Sequence, residues 1–231
     1  SLWSKLHIDS GANVYDPLLT ARALKTEINK SKHQLTFASV HNFSTHTLLL
    51  RQWLEMAGID PDTDARIIVL PPEQMVDSLA QGIIDGFCVG EPWNSIAVEH
   101  GSGVLATTGV RIWNGAPEKV LAVMESWHGK NPGAHLRLRL ALMEACRWMA
   151  NMDNREQAIQ ILSQASYLDL PADYLRPSLT GQLFHQRAQD QSEQINFHVF
   201  DHLNAGFPWR SDAENMLTQF TPLLGKQIDP E

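Results

Sequence analysis

Three short apolar runs, each closing on a helix-start signal, constrain this chain more than any other feature. Leu35-Thr36-Phe37-Ala38-Ser39-Val40 leads to Ser44-Thr45, Ile67-Ile68-Val69-Leu70 leads to Pro71-Pro72-Glu73, and the run from Ile83 to Val89 leads to Gly90-Glu91-Pro92-Trp93. Runs this short and this apolar suit strands covered on both faces. Strands joined through helices pair in parallel by right-handed crossovers, and in such sheets ligands gather beyond the strand ends.

The helix signals are chemical as well as periodic. Pro72 suits a first helical position and Glu73 favours its positive end, after which Met75, Val76, Leu79 and Ala80 recur at helical spacing until Gly82. Ser44 or Thr45 caps a helix whose inner side is Leu48, Leu49, Trp53, Leu54 and Ala57, and Gly58 ends it. Asp16-Pro17 opens another through about residue 30, with Leu18, Ala21, Leu24 and Ile28 as its stripe. Gly101 and Gly103 mark a turn, and residues 104–106 and 120–124 read as short strands.

Beyond Pro132 the character becomes helical. Leu136, Leu140, Met143, Ala145, Trp148 and Met149 form a long amphipathic stretch, and residues 156–164, 171–184 and 211–224 supply further helices, the last with Ser211 as cap and Glu214 three positions on. Residues 182–195 are polar and read as an exposed loop.

Composition excludes several classes. The 231 residues are 43% hydrophobic, enough to build one large domain or two small ones. With 26 acidic against 18 basic residues and a net charge of −8, no clustered basic surface for nucleic acid is available. No apolar run approaches the ~20 residues that span a bilayer. Cys88 and Cys146 read as buried free thiols. His198 and His202 stand four apart without the glutamate pattern of a zinc protease, and no nucleophile elbow, P-loop or dinucleotide fingerprint is present, so no cofactor, metal or catalytic residue is assigned.

The segments Pro71-Pro72-Glu73-Gln74-Met75 and Asp85-Gly86-Phe87-Cys88-Val89-Gly90-Glu91-Pro92-Trp93-Asn94 resemble the nitrate/bicarbonate branch of ABC-importer substrate-binding proteins. Ser44-Thr45-His46, Arg51-Gln52-Trp53-Leu54, Gly58-Ile59-Asp60-Pro61, Ile112-Trp113 and Pro117-Glu118-Lys119-Val120-Leu121 extend the likeness, which is strong over residues 35–125. The resemblance implies an α/β fold of the periplasmic-binding-protein type II kind, two-lobed, with the N-terminal part of the first lobe absent. Residues 1–33 then belong to the first lobe or a linker, 34–112 form the central α/β lobe, and 113–231 return through a crossing near residues 109–117 to the helix-rich part of the first lobe.

It also implies a site. His46 stands where the family places a ligand-facing histidine, Pro72, Val89 and Gly90 wall the pocket, Glu91 sits at its edge, and Lys119 stands where nitrate binders carry an anion-pairing lysine. Taken alone, His46 is a helix-start histidine and Lys119 an ordinary solvated lysine. A carboxylate repels an anion, so Glu91 reads better as a partner of backbone amides.

The function implied is capture of nitrate or nitrite by hinge closure, delivered to an ABC transporter permease from the periplasm, with any export signal upstream of Ser1. A cytoplasmic nitrate sensor acting on a regulatory protein would use the same pocket. An enzyme of thiamine-precursor metabolism shares the scaffold but needs a His or Cys constellation not found here. A last alternative is a folded interaction domain that has lost its ligand.

Overall fold

The computed structural model describes residues 15–31, 33–186, 191–193 and 196–225. Its centre is a parallel sheet of β1 (Leu35–Ser39), β2 (Ala65–Val69) and β3 (Gly86–Cys88) in the order β2-β1-β3. Register runs Phe37 to Ile67 on one side of β1 and Phe37 to Gly86 on the other. Helices α1 (Pro17–Lys30), α2 (Thr45–Met56), α3 (Pro72–Ala80) and α4 (Trp93–Glu99) surround it.

Alternation along β1 explains the two cores. Phe37 joins Leu24, Leu50, Trp53, Leu54 and Ile59 on the side of α1 and α2. Its neighbour Ala38 joins Met75, Ile84 and Val89 on the side of α3, as successive side chains of a strand must point to opposite faces. Gly86 lets the strand lie close to Phe37: a Cβ there would stand 3.0 Å from the ring, which would have to give way. Asp85 then locks the β3 entry, its carboxylate accepting from Thr36 N at 2.9 Å while its own N–H donates to Thr36 O at 2.7 Å.

The expected caps form. Asp16 accepts from Leu19 N at 2.9 Å, and Ser44 Oγ accepts from Thr47 N at 3.2 Å. Pro72 occupies the first turn of α3. Gly58 and Gly82 follow their helices at φ of 68° and 69°. Lys25 Nζ donates to the carbonyls of Ala57 and Gly58 at 2.8 and 3.1 Å, setting a cation at the negative end of α2.

After α5 (Gly109–Ile112) come α6 (Glu125–Lys130), α7 (Pro132–Ala150), α8 (Arg155–Leu162), α9 (Ala172–Thr180), a hairpin of β4 (Gln182–Phe184) with β5 (Gln191–Glu193), and α10 (Arg210–Leu224). α9 packs on α8 and on α4, and Tyr174 and Leu170 join Val76, Ile96 and Ala97 there.

Several sequence expectations are corrected. Residues 104–106 form no strand, although Leu105 N donates to His185 O at 2.8 Å. Residues 120–124 form none either and, apart from Val123, stand exposed, Val120 at 81%, for no described strand lies alongside to pair with them. The polar stretch after residue 181 carries the β4–β5 hairpin, with Leu183 and His185 buried; its residues 187–190 and 194–195 lie outside the described set. Ser211 does not cap α10, which starts at Arg210 with Trp209 before it; Glu214 instead takes Arg210 at 2.7 Å.

α9 ends earlier than expected, at Thr180, where Gly181 turns left-handed. α7 is a helix as expected, yet none of its residues is buried, and Leu136, Leu138, Leu140, Leu142 and Met143 are all exposed.

Candidate functional site

Parallel pairing puts the C-terminal ends of all three strands on one rim. From β1 the chain runs through His41 to the Ser44 cap and enters α2, so His46 lies in the first turn. Thr47 Oγ1 lies 2.6 Å from His41 O and 2.7 Å from Ser39 Oγ, fixing that turn against the strand it follows. From β2 the chain reaches Pro71-Pro72 and α3. From β3 it passes Val89, Gly90 and Glu91, with the Glu91–Pro92 peptide cis, into α4.

The β3 elbow is held by its own helix. Asn94 Nδ2 donates to Val89 O at 2.8 Å, and Ser95 N donates to Glu91 Oε2 at 3.2 Å. Burial pushes the Glu91 carboxyl up, against lowering by its bonds to Ser95 and Asn94. Glu91 thus has the amide-partner geometry expected of it.

His46 and Gly90 meet. A Cβ at Gly90 would stand 3.8 Å from His46 Nε2, so the glycine leaves open the space beside the ring. Burial lowers the His46 pKa, with Glu118 raising it and Lys119 lowering it further. Lys119 is therefore within electrostatic reach of His46, but its ammonium sits 2.7 Å from Glu118 Oε2 and its side chain is 85% exposed. Val89 is buried and Pro72 partly so, each at its strand's exit on this rim.

Sequence reasoning passed over Glu118. Its charge reaches His46, Cys88 and His198 alike, and the signal was its place next to Lys119. A groove of about 480 Å³ lined by Phe43, Thr47, Arg51, Arg66 and Leu223, among others, includes none of the residues expected to bind. Among the described residues no three His, Cys, Asp or Glu side chains come together to hold a metal, and no helix is long and apolar enough to cross a membrane.

An open parallel sheet whose strand ends lead into helix starts is an α/β architecture of the ligand-binding kind, with the site placed beyond the strand ends. Residues 4–163 match the model of the NMT1-like family, and the chain belongs to that family. It is 34% identical over 206 residues to the nitrate/nitrite binding protein NrtA of Synechococcus elongatus, covering 89% of this chain and 46% of that protein. It is 38% identical over 201 residues to the nitrate import ATP-binding protein NrtC of a Synechocystis species, covering 87% of this chain and 30% of that one. The crystal structure of the periplasmic nitrate-binding protein NrtA from Synechocystis PCC 6803 superposes with a TM-score of 0.81 at 31% identity, over 87% of this chain and 52% of that chain. The chain thus spans at most about half the length of each of these relatives.

Proposed function

We propose that this chain is a portion of a solute-binding protein that captures a small oxyanion, nitrate or nitrite before bicarbonate, for an ABC importer. The observation that carries the reading is the meeting of His46 with Gly90 on the C-terminal rim of the sheet. Helix starts supply unpaired N–H groups and positive potential to an anion, and α2 offers the amides of Thr45 and His46 at its first two positions. Nitrate donates no hydrogen bond, so neutral donors with one nearby cation serve it, and Lys119 is the cation within reach. Bicarbonate carries a proton of its own, for which a carboxylate at that position would serve better.

Capture in this reading means closure. An anion that bridges two lobes stabilises the closed form, and the permease distinguishes closed from open. Residues 34–112 make one lobe in this account, and residues 113–231 return to the other. The exposed apolar residues on several sides of α7 support that division, since a helix of this kind is built to be covered. The chain acts as a binder in this reading, which the similarity to the nitrate/nitrite binding protein NrtA supports.

A second reading is a sensor on the cytoplasmic side that uses the same rim to govern a regulatory protein. The similarity to an ATP-binding import component favours it, because ATP is handled on that side. Calorimetric titration with nitrate, nitrite and bicarbonate tests both versions of anion capture. Saturable heat with nitrate or nitrite, reduced in His46→Ala, is the expected result; no heat with any of the three overturns the ligand assignment.

A further inference from the structure

Away from the rim, α6 and α7 meet in a rigid corner. Asn131 N donates to the carbonyls of Trp127 and His128 at 2.9 and 3.1 Å, its side-chain amide donates to Trp127 O at 3.0 Å, and His135 N donates to Asn131 O at 3.0 Å. Pro132 opens α7 with its φ already set for a helix. Residues seven apart are thereby turned toward each other. The Nδ1 atoms of His128 and His135 lie 2.9 Å apart, with ring centroids at 4.9 Å and planes at 79°.

Two facing imidazole nitrogens at that distance have two uses. One ring can donate to the other when only one of them carries its proton on Nδ1. Alternatively both lone pairs take the same cation. Metal–imidazole bonds of about 2.0–2.1 Å place two adjacent ligand nitrogens about 3 Å apart, and the 2.9 Å separation is close to that bite.

We propose that His128 and His135 form a bidentate site for a late first-row divalent ion, Cu²⁺ before Zn²⁺, independent of the anion site. Imidazole suits these ions, and affinity for a given site peaks at Cu²⁺. Both ligands stand on helix ends already ordered by backbone bonds, so little conformational freedom is lost on binding. No further His, Cys, Asp or Glu makes a group of three among the described residues, so water completes the coordination. Trp127, its ring 6.0 Å from that of His135, is a built-in reporter, since bound Cu²⁺ quenches a neighbouring indole.

The test is titration of the 231-residue chain with Cu²⁺ alone, followed by tryptophan fluorescence and by the nitrogen couplings in its electron paramagnetic resonance spectrum. The wild type should show a saturable site with two imidazole nitrogens. His128→Ala and His135→Gln should each weaken it about tenfold or more, whereas His33→Ala should not. Trp127→Phe should keep the binding and lose much of the quenching. His135→Gln retains hydrogen-bonding groups, so a folded variant with weakened binding separates ligation from structure. Unaltered Cu²⁺ affinity in both histidine variants, or a spectrum without two nitrogens, overturns the proposal.

Discussion

His46 Nε2 stands 3.8 Å from the point where a side chain at Gly90 would begin, although the two residues belong to different strand-to-helix turns. A methyl group fits at that distance in ordinary contact, and anything larger enters the space beside the ring. Gly90→Val should therefore fill that space and abolish anion binding while the protein still folds. Thermal melting paired with calorimetry measures the two separately. Retained nitrate binding in Gly90→Val would remove this space from the site.

Lys119 and Glu118 pair at 2.7 Å on an exposed surface, where such pairs contribute little. Binding of an anion would draw the ammonium away from its neighbour at small cost. Lys119→Glu should leave the melting temperature unchanged and weaken nitrate capture about tenfold or more, equivalent to about 1.4 kcal/mol. Equal affinity in the variant would return Lys119 to the solvated surface.

Stability should fall on acidification through the histidines held neutral by burial. Burial lowers His185, with its bond to the Leu105 carbonyl opposing, and lowers His46 as described; burial and Arg155 push His198 to about 4, with Glu118 opposing. The unfolded chain takes up protons first, near the ordinary histidine value of about 6.5. Stability is thus full above that pH and is lost as pH falls toward the folded values. Melting temperature against pH should slope downward below about 6.5, and His185→Gln should flatten the slope. A profile identical to wild type in that variant would contradict the assignment.

Tyr15 ties three distant segments together. Its hydroxyl donates to Leu183 O at 3.2 Å, Thr107 Oγ1 donates to its carbonyl at 2.8 Å, and the His185 ring meets it edge-on at 5.7 Å. Tyr15→Phe keeps the buried ring and deletes the hydroxyl's bond to Leu183 O. Denaturant unfolding should register a loss of about 0.5–1.5 kcal/mol; no loss would show that the ring alone holds the joint.

The parts of this fold legible in the sequence were those where local chemistry and tertiary packing agree. Phe37 and Ala38 alternate between cores already implied by the apolar runs, Asp16 and Ser44 cap where their residue types say they should, and Pro72 opens α3 at its first position. The β4–β5 hairpin was hidden because Gln182, Gln191, Ser192 and Glu193 are polar, and its inward groups, Leu183 and His185, are covered by Tyr15 and Leu105 from far away in the chain. The apolar residues near Val120 misled for the converse reason: a strand needs a neighbour, and propensity does not say whether one exists.

Within the site, the common rim of His46, Pro72 and Gly90 follows from parallel pairing and so was readable. The pairing of Lys119 with Glu118 depends on rotamers and was not. His128 and His135 were unreadable for a similar reason, since the break at Asn131 to Pro132, not any helical period, brings their rings together.

If the rim formed by the ends of β1 and β3 receives an oxyanion, the amides there must respond to it. Nitrate titration of the ¹⁵N-labelled chain, followed by amide chemical shifts, measures that response directly and also detects weak binding by one lobe. Saturable shifts concentrated at Thr45, His46, Gly90 and Glu91 are expected. Shifts absent there, or confined to the groove beside Arg51 and Arg66, would contradict oxyanion capture at this rim.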